Sequence, residues 1–260
     1  MGEVYERLRD ALRAARPVAL ATVVAGPHIG AKLLVEPGEK AVGTLGDPGL
    51  DRVVARDAAG ELEAGLTSTR HYGPHGEARE RDVSVFVESF VRPPRMLIFG
   101  AVDFTAALAR SAKLLGYQVT VCDARAVFAT QARFPMADAV VNDWPDRHLA
   151  AVGADLGPRD AVCVLTHDTK FDVPALVSAC ATAVGYIGAM GSRRTHEKRI
   201  VRLREAGLVD ADIDRIMSPI GLDLGARTPE ETAVSICAEI IARRTRRAAP
   251  SLRDGTGPIH

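Results

Sequence analysis

Four short stretches hold the side chains best suited to chemistry. Thr166-His167-Asp168-Thr169-Lys170-Phe171-Asp172 places a hydroxyl, an imidazole and two carboxylates within seven residues. His167 beside Asp168 has the makings of a proton-transfer pair, or of a metal ligand with a supporting carboxylate. The same Asp and Thr types also satisfy backbone donors in an ordinary loop. Gly188-Ala189-Met190-Gly191-Ser192-Arg193-Arg194 combines two glycines, a helix-capping serine and two guanidinium groups. Free N–H groups at a helix start, joined by arginines, make an anion site. Arginine pairs at helix starts are also common on solvated surfaces. Ser218-Pro219-Ile220-Gly221-Leu222-Asp223 is a further turn of the same kind. Gly100-Ala101-Val102-Asp103 opens like a dinucleotide turn, which asks for G-x-G-x-x-G. Only its first glycine is present. Val102 stands at the second, where a branched side chain obstructs a pyrophosphate. Asp123 follows Gly100 by 23 positions, where an acid can accept from a ribose hydroxyl. NAD(P) binding is therefore open but disfavoured. The plainer reading is a tight turn at Gly100 and a loop cap at Asp123. No G-x-S-x-G nucleophile motif occurs, so no catalytic residue is assigned. His71 and His75 are four apart, but Gly73-Pro74 between them precludes a regular helix face, and no metal site is assigned.

These turns need a scaffold, and the apolar spacing supplies one. From Met96 onward the chain alternates strand and helix. Met96–Phe99, Gln118–Cys122, Ala139–Val141, Ala161–Leu165 and Tyr186–Ile187 read as strands. Asp103–Leu115 carries Phe104, Leu108, Ser111 and Leu115 on one helical face and stops at Gly116. A final helix starts at Thr228-Pro229-Glu230-Glu231, with Thr228 and Glu231 as a capping box and Pro229 at the first helical position. This rhythm predicts an α/β fold with a Rossmann-like parallel sheet over residues 96–247. In such a sheet the turns at the carboxyl ends of strands line the ligand crevice. Residues 1–91 predict a smaller α+β domain: a helix near Glu3–Ala15, then short strands at Val18–Val24, Lys32–Val35, Ala41–Leu45 and Val83–Val91. Arg92-Pro93-Pro94-Arg95 reads as the linker, and residues 248–260 as a flexible tail.

Composition narrows the class. The 260 residues carry 33 Lys or Arg against 33 Asp or Glu, so no basic excess points to nucleic acid. Arg243-Arg244-Thr245-Arg246-Arg247 fits a solvated helix end. No apolar run approaches the roughly 18 residues of a membrane span. The opening MGEVYERLRDALRAARP lacks an apolar signal core. Cys122, Cys163, Cys180 and Cys237 form no C-x-x-C and sit in apolar patterns, as buried structural thiols do. The expectation is a soluble cytoplasmic protein without disulfides or membrane contact.

At its turns the chain resembles the XdhC/CoxI family, accessory proteins that mature molybdenum hydroxylases. Leu97-Ile98-Phe99-Gly100-Ala101, Val121-Cys122-Asp123-Ala124-Arg125, Thr166-His167-Asp168 and Tyr186-Ile187-Gly188 are similar to its Rossmann-domain signatures. So are Gly191-Ser192-Arg193-Arg194, Pro219-Ile220-Gly221-Leu222-Asp223 and Thr228-Pro229-Glu230-Glu231. Ala21-Thr22-Val23-Val24 and Gly43-Thr44-Leu45-Gly46 resemble the smaller domain. The chain departs from the family at Val102-Asp103, at Asp47-Pro48-Gly49-Leu50-Asp51 and at His71-Tyr72-Gly73. The resemblance implies a factor that binds molybdenum cofactor, in pterin or dinucleotide form. It would assist sulfuration and insertion into a xanthine dehydrogenase or CO dehydrogenase type apoenzyme. Implied partners are that apoenzyme, a cysteine desulfurase and a second copy of the chain. Implied cofactor-binding residues are Gly100, Val102, Asp103, Asp123, Arg125, Thr166, His167, Asp168, Gly188, Gly191, Ser192, Arg193, Arg194 and Gly221. Two other classes stay open: an NAD(P)-dependent oxidoreductase, and a diverged partner-docking paralogue without catalysis.

Overall fold

The structure is a computed structural model that describes residues 2–78 and 80–254. Residues 255–260 of the expected tail therefore lie outside the described residues. The chain divides into two compact units, Met1–Arg92 and Pro93–His260.

The first unit comprises α1 (Gly2–Arg13), β1 (Val18–Ala25), β2 (Lys32–Val35), β3 (Val42–Thr44), α2 (Pro48–Ala64), β4 (Ser68–Tyr72) and β5 (Val83–Phe90). Its sheet is antiparallel in the order β3-β2-β1-β5-β4. The twofold alternation of a strand divides β1 between two cores. Ala19, Ala21 and Val23 pack with Leu50, Val54, Ala58 and Leu62 of α2. Val18 and Leu20 pack with Ala11, Val4 and Leu8 of α1. Helix α2 goes beyond the sequence expectation, because Gly49 and Gly60 weaken its pattern. Its start signals are nevertheless present: Asp47 caps it by accepting from the N–H groups of Gly49 and Leu50, and Pro48 opens it.

The second unit comprises β6 (Arg95–Phe99), α3 (Asp103–Leu114), β7 (Gln118–Cys122), β8 (Ala139–Val141), α4 (Pro145–Val152), β9 (Ala161–Val164), α5 (Thr169–Cys180), β10 (Tyr186–Ala189), α6 (Arg193–Glu205), α7 (Asp210–Ile213), β11 (Ile216–Met217) and α8 (Pro229–Thr245). Its six strands are parallel in the order β11-β10-β9-β6-β7-β8. Met96 and Ile98 face α3 and α8, against Leu108, Ala112, Ile236 and Ile240. Leu97 and Phe99 face the opposite layer, against Leu149 of α4, Leu176 of α5 and Leu203 of α6. The expected capping box of α8 is formed by Thr228 and Glu231. The chain runs from β6 outward to β8, then returns to β9 on the other side. The strand order thus reverses between β6 and β9, where an open parallel sheet leaves a crevice.

Candidate functional site

The β6–α3 turn is closed upon itself. The Gly100 N–H donates to the Cys122 carbonyl at 2.9 Å, and the Ala101 N–H to Oδ2 of Asp123 at 2.8 Å. The Val102 N–H donates to Oγ1 of Thr105 at 3.4 Å, and that hydroxyl donates to the Gly100 carbonyl. The Gly100 N–H thus continues the β6–β7 ladder, and the N–H groups of Ala101 and Val102 have acceptors within the protein. Gly100 has φ +108, and a Cβ there would stand 2.6 Å from the Thr166 methyl. Val102 is half-buried against the core beneath the turn. Asp103 adds a carboxylate to the first turn of α3.

Asp123, at the end of β7, is buried and fully engaged. Besides Ala101 it accepts from the Arg125 N–H and, in two parallel contacts of 2.9 and 2.7 Å, from the Arg125 guanidinium. Burial pushes its carboxyl up, but the bonds from Arg125 and Ala101 outweigh that and hold it below the ordinary range. Asp123 therefore fastens the glycine turn, and Arg125 neutralises it while lying over the Phe128 ring.

The β9–α5 turn contributes three side chains of different fate. Asp168 is the helix cap and accepts from the Lys170 N–H at 3.1 Å. His167 is exposed. Thr166 is buried and donates to Asp172, one turn into α5. Asp172 in turn receives Arg199 of α6 at 3.0 Å, and both side chains are 2% exposed. Arg199 also donates to the Met190 carbonyl at 2.8 Å and to Ser218 Oγ at 3.0 Å, while its Nε has no partner. Burial pushes the Asp172 carboxyl up, with Thr166 and Arg199 pulling against it. Breaking such a pair from one side costs about 3–5 kcal/mol.

Above this pair lies a cleft of about 410 Å³, walled by His167 and Thr169 on one side and by Arg194, Thr195, Lys198 and Arg202 on the other. Asp172 and Arg199 complete its lining. Arg194, Lys198 and Arg202 recur every four residues and form one stripe of α6. They enter no ion pair among the described residues. Ser192 caps α6 by accepting from the Thr195 N–H. Among the eight described α-helices, α6 alone has no acidic residue in its first turn.

The expected residues thus separate. His167 and Arg194 line the cleft, and Gly191 and Ser192 shape the start of α6. Arg193 is exposed but is not part of the lining. Gly188 and Gly221 serve packing. A Cβ on Gly188 would strike the Ile220 side chain at 2.4 Å, and one on Gly221 the Ser235 hydroxyl at 2.5 Å. The Gly221 N–H donates to the buried Glu239 at 2.9 Å, which also accepts from Tyr186. Asp172 stands out in the sequence as the second carboxylate of its turn but not among the implied cofactor-binding residues, and Lys198, Arg199 and Arg202 do not stand out at all. The signal for two of them is the fourfold spacing from Arg194. His71 and His75 are separately engaged, with Ser84 and Asp47.

Fold and site define a two-unit α/β protein whose parallel sheet ends in loops beside a basic cleft. The model of the XdhC Rossmann domain matches residues 96–240, and that of the XdhC and CoxI family matches residues 11–73. The chain belongs to the XdhC and CoxI family. YqeB of Escherichia coli (strain K12) is 30% identical over 237 residues, covering 86% of this chain and 43% of that protein. A probable xanthine dehydrogenase subunit of Bacillus subtilis (strain 168) is 30% identical over 242 residues, covering 93% of this chain and 65% of that one. The molybdenum cofactor insertion chaperone PaoD of Escherichia coli (strain K12) is 34% identical over 95 residues, covering 36% of this chain and 30% of its own length. The chain spans less than two thirds of these relatives. A crystal structure of a xanthine dehydrogenase from Bacillus halodurans shares the fold, with TM-score 0.56, 20% identity, and coverage of 95% of this chain and 97% of that one. No helix among the described residues is long and apolar enough to cross a membrane.

Proposed function

We propose that this chain is a maturation factor for a molybdenum hydroxylase of the xanthine dehydrogenase or CO dehydrogenase type. It holds molybdenum cofactor and delivers it to the apoenzyme. Family membership supports the general role, as do the names of the xanthine dehydrogenase and chaperone relatives. The observation that carries the binding reading is the division of labour at the sheet edge. The glycine turn is spent on its own hydrogen bonds, while the cleft at α6 presents unpaired positive charge. That division disfavours an NAD(P)-dependent oxidoreductase, which needs the glycine turn open to a pyrophosphate.

The cleft fits the anionic end of such a cofactor. Arg194, Lys198 and Arg202 would neutralise a phosphate, with Thr195 and His167 as hydrogen-bonding neighbours. Buried Arg199 lines the same cleft. When bound, the cofactor supplies the metal-centred redox chemistry of the client enzyme. This chain's part is to bind, orient and release. We further propose that sulfuration draws its sulfur from a partner such as a cysteine desulfurase, because all four thiols of this chain are buried.

The test is to isolate the full chain from its own cells and oxidise the released ligand to a fluorescent pterin. The same preparation is then mixed with cofactor-free hydroxylase. A stoichiometric pterin and restored hydroxylase activity are expected. A nicotinamide dinucleotide in place of the pterin would overturn the reading in favour of an oxidoreductase.

A further inference from the structure

We propose that the cleft between α5 and α6 is a phosphomonoester subsite, and that the ligand of this chain ends in a single phosphate rather than a dinucleotide lying across the glycine turn. The proposal rests on the cofactor-holding reading for the identity of the pterin, but the phosphate site stands on geometry alone.

Three independent observations converge on it. First, the turn where a dinucleotide pyrophosphate would lie carries Val102 in place of its second glycine and is poorly suited to one. Gly100, Ala101 and Val102 have given their N–H groups to Cys122, Asp123 and Thr105. Asp103 stands at the start of α3 and would repel a second anion.

Second, positive charge is gathered elsewhere on the same carboxyl edge. Helix α6 carries six Lys or Arg against two Glu. In a chain with no net charge, that is a local concentration rather than a global bias. Three of these bases face one cleft, and they are free of ion pairs among the described residues. Uncompensated like charges within one stripe repel one another, so a bound anion relieves them.

Third, the floor of the cleft is built rather than incidental. Arg199 is a buried guanidinium that lines it, with Nε unpartnered and its other nitrogens held by Asp172, Met190 and Ser218. At about 410 Å³ the cleft accommodates a phosphate and the adjoining part of a small ligand, within the range of known ligand pockets.

The experiment titrates the full chain with inorganic phosphate, phenyl phosphate and NAD, by calorimetry and by the amide shifts of α6. Arg194→Ala, Lys198→Ala and Arg202→Ala are compared with Arg204→Ala, whose guanidinium pairs with Asp210 outside the cleft. Each cleft variant is expected to weaken inorganic phosphate about 10-fold or more, the range of a charge-assisted contact. Arg204→Ala should stay within about twofold, as expected for a change outside the site. Phenyl phosphate should bind more tightly than NAD. Unchanged phosphate affinity in all three cleft variants overturns the subsite. Tighter binding of NAD, sensitive to Asp103→Ala, overturns the monoester assignment. Phosphate binding with no pterin in protein isolated from cells supports the subsite and ends the cofactor reading. Full pterin content in the triple cleft variant overturns the subsite and leaves the cofactor reading standing.

Discussion

Oδ2 of Asp123 lies 2.8 Å from the amide nitrogen of Ala101 and 2.7 Å from the Arg125 guanidinium. One carboxylate therefore joins the loops that follow β6 and β7. Asp123→Asn keeps the shape but removes the charge and turns one of the two accepting oxygens into a donor. It is expected to lower stability by about 1.5–3 kcal/mol at pH 7. Because the carboxyl is held below its ordinary value, its contribution is fully present above the unfolded pKa of about 3.9. It is lost as pH falls through the folded value. Urea unfolding of both proteins should converge toward low pH. A constant difference from pH 7 to below 3 would separate the effect from the charge.

Gly100→Ala tests the closeness of the β6 and β9 ends. The new methyl meets left-handed backbone strain and the Thr166 methyl at 2.6 Å. Overpacking alone costs about 1–3 kcal/mol. Adding Thr166→Ser removes the obstructing methyl and should recover part of the lost stability in a thermal melt. Equal losses with and without Thr166→Ser would assign the whole cost to the backbone.

All four thiols should resist alkylation in the folded protein at pH 8 and react together in denaturant. Each is buried. Burial pushes Cys122 up to about 12, and Cys180 and Cys237 up to about 11, with Cys163 raised as well. The thiolate needed to attack iodoacetamide, or to carry a persulfide, is scarce. Mass spectrometry showing one rapidly labelled cysteine would identify an exposed thiol and restore a direct sulfur-handling role.

The His75 Nδ1–H donates to the carboxylate of Asp47, the cap of α2, at 2.9 Å. The Asp47 hydrogen bond and charge raise the imidazole above its ordinary value. Its contribution to the helix start is fully present below the unfolded pKa of about 6.5. That contribution disappears as pH rises through the folded value. A proton NMR titration of His75 in Asp47→Asn should shift back toward about 6.5. No shift would dissociate the histidine from the cap.

Residues 93–260 alone are expected to fold cooperatively, since two separate layers of apolar side chains enclose their sheet. A broad thermal transition of that fragment, with exposed apolar surface by dye binding, would show that the division at Arg92 does not mark a folding unit.

The parallel sheet is legible in the sequence because its strands are short apolar runs broken by glycines, as at Met96–Phe99 followed by Gly100. The last helix is legible through Thr228, Pro229 and Glu231, which are local signals. Helix α2 is hidden because Gly49 and Gly60 interrupt its pattern, and its hold on the sheet is tertiary. At the site, residue type alone distinguishes neither partner of the Asp172–Arg199 pair from solvated charge. Their burial depends on Thr166, Met190 and Ser218 arriving from three other segments. Asp123 is visible as an acid at the right strand end. Whether its oxygens face a ribose or the protein's own backbone depends on the position of Ala101, which spacing does not encode.

The three bonds of Arg199, to Asp172, Met190 and Ser218, act on α6 as a peg acts on a roller. They come from the α5, β10 and β11 segments and prevent the helix from turning about its axis. Arg194, Lys198 and Arg202 consequently share a common heading before any ligand arrives, although each is itself solvent-exposed. The entropy of aligning them is spent during folding, so an arriving anion has to immobilise only flexible side-chain ends rather than a helix. Arg199 thereby sets the direction of the basic stripe from within the core.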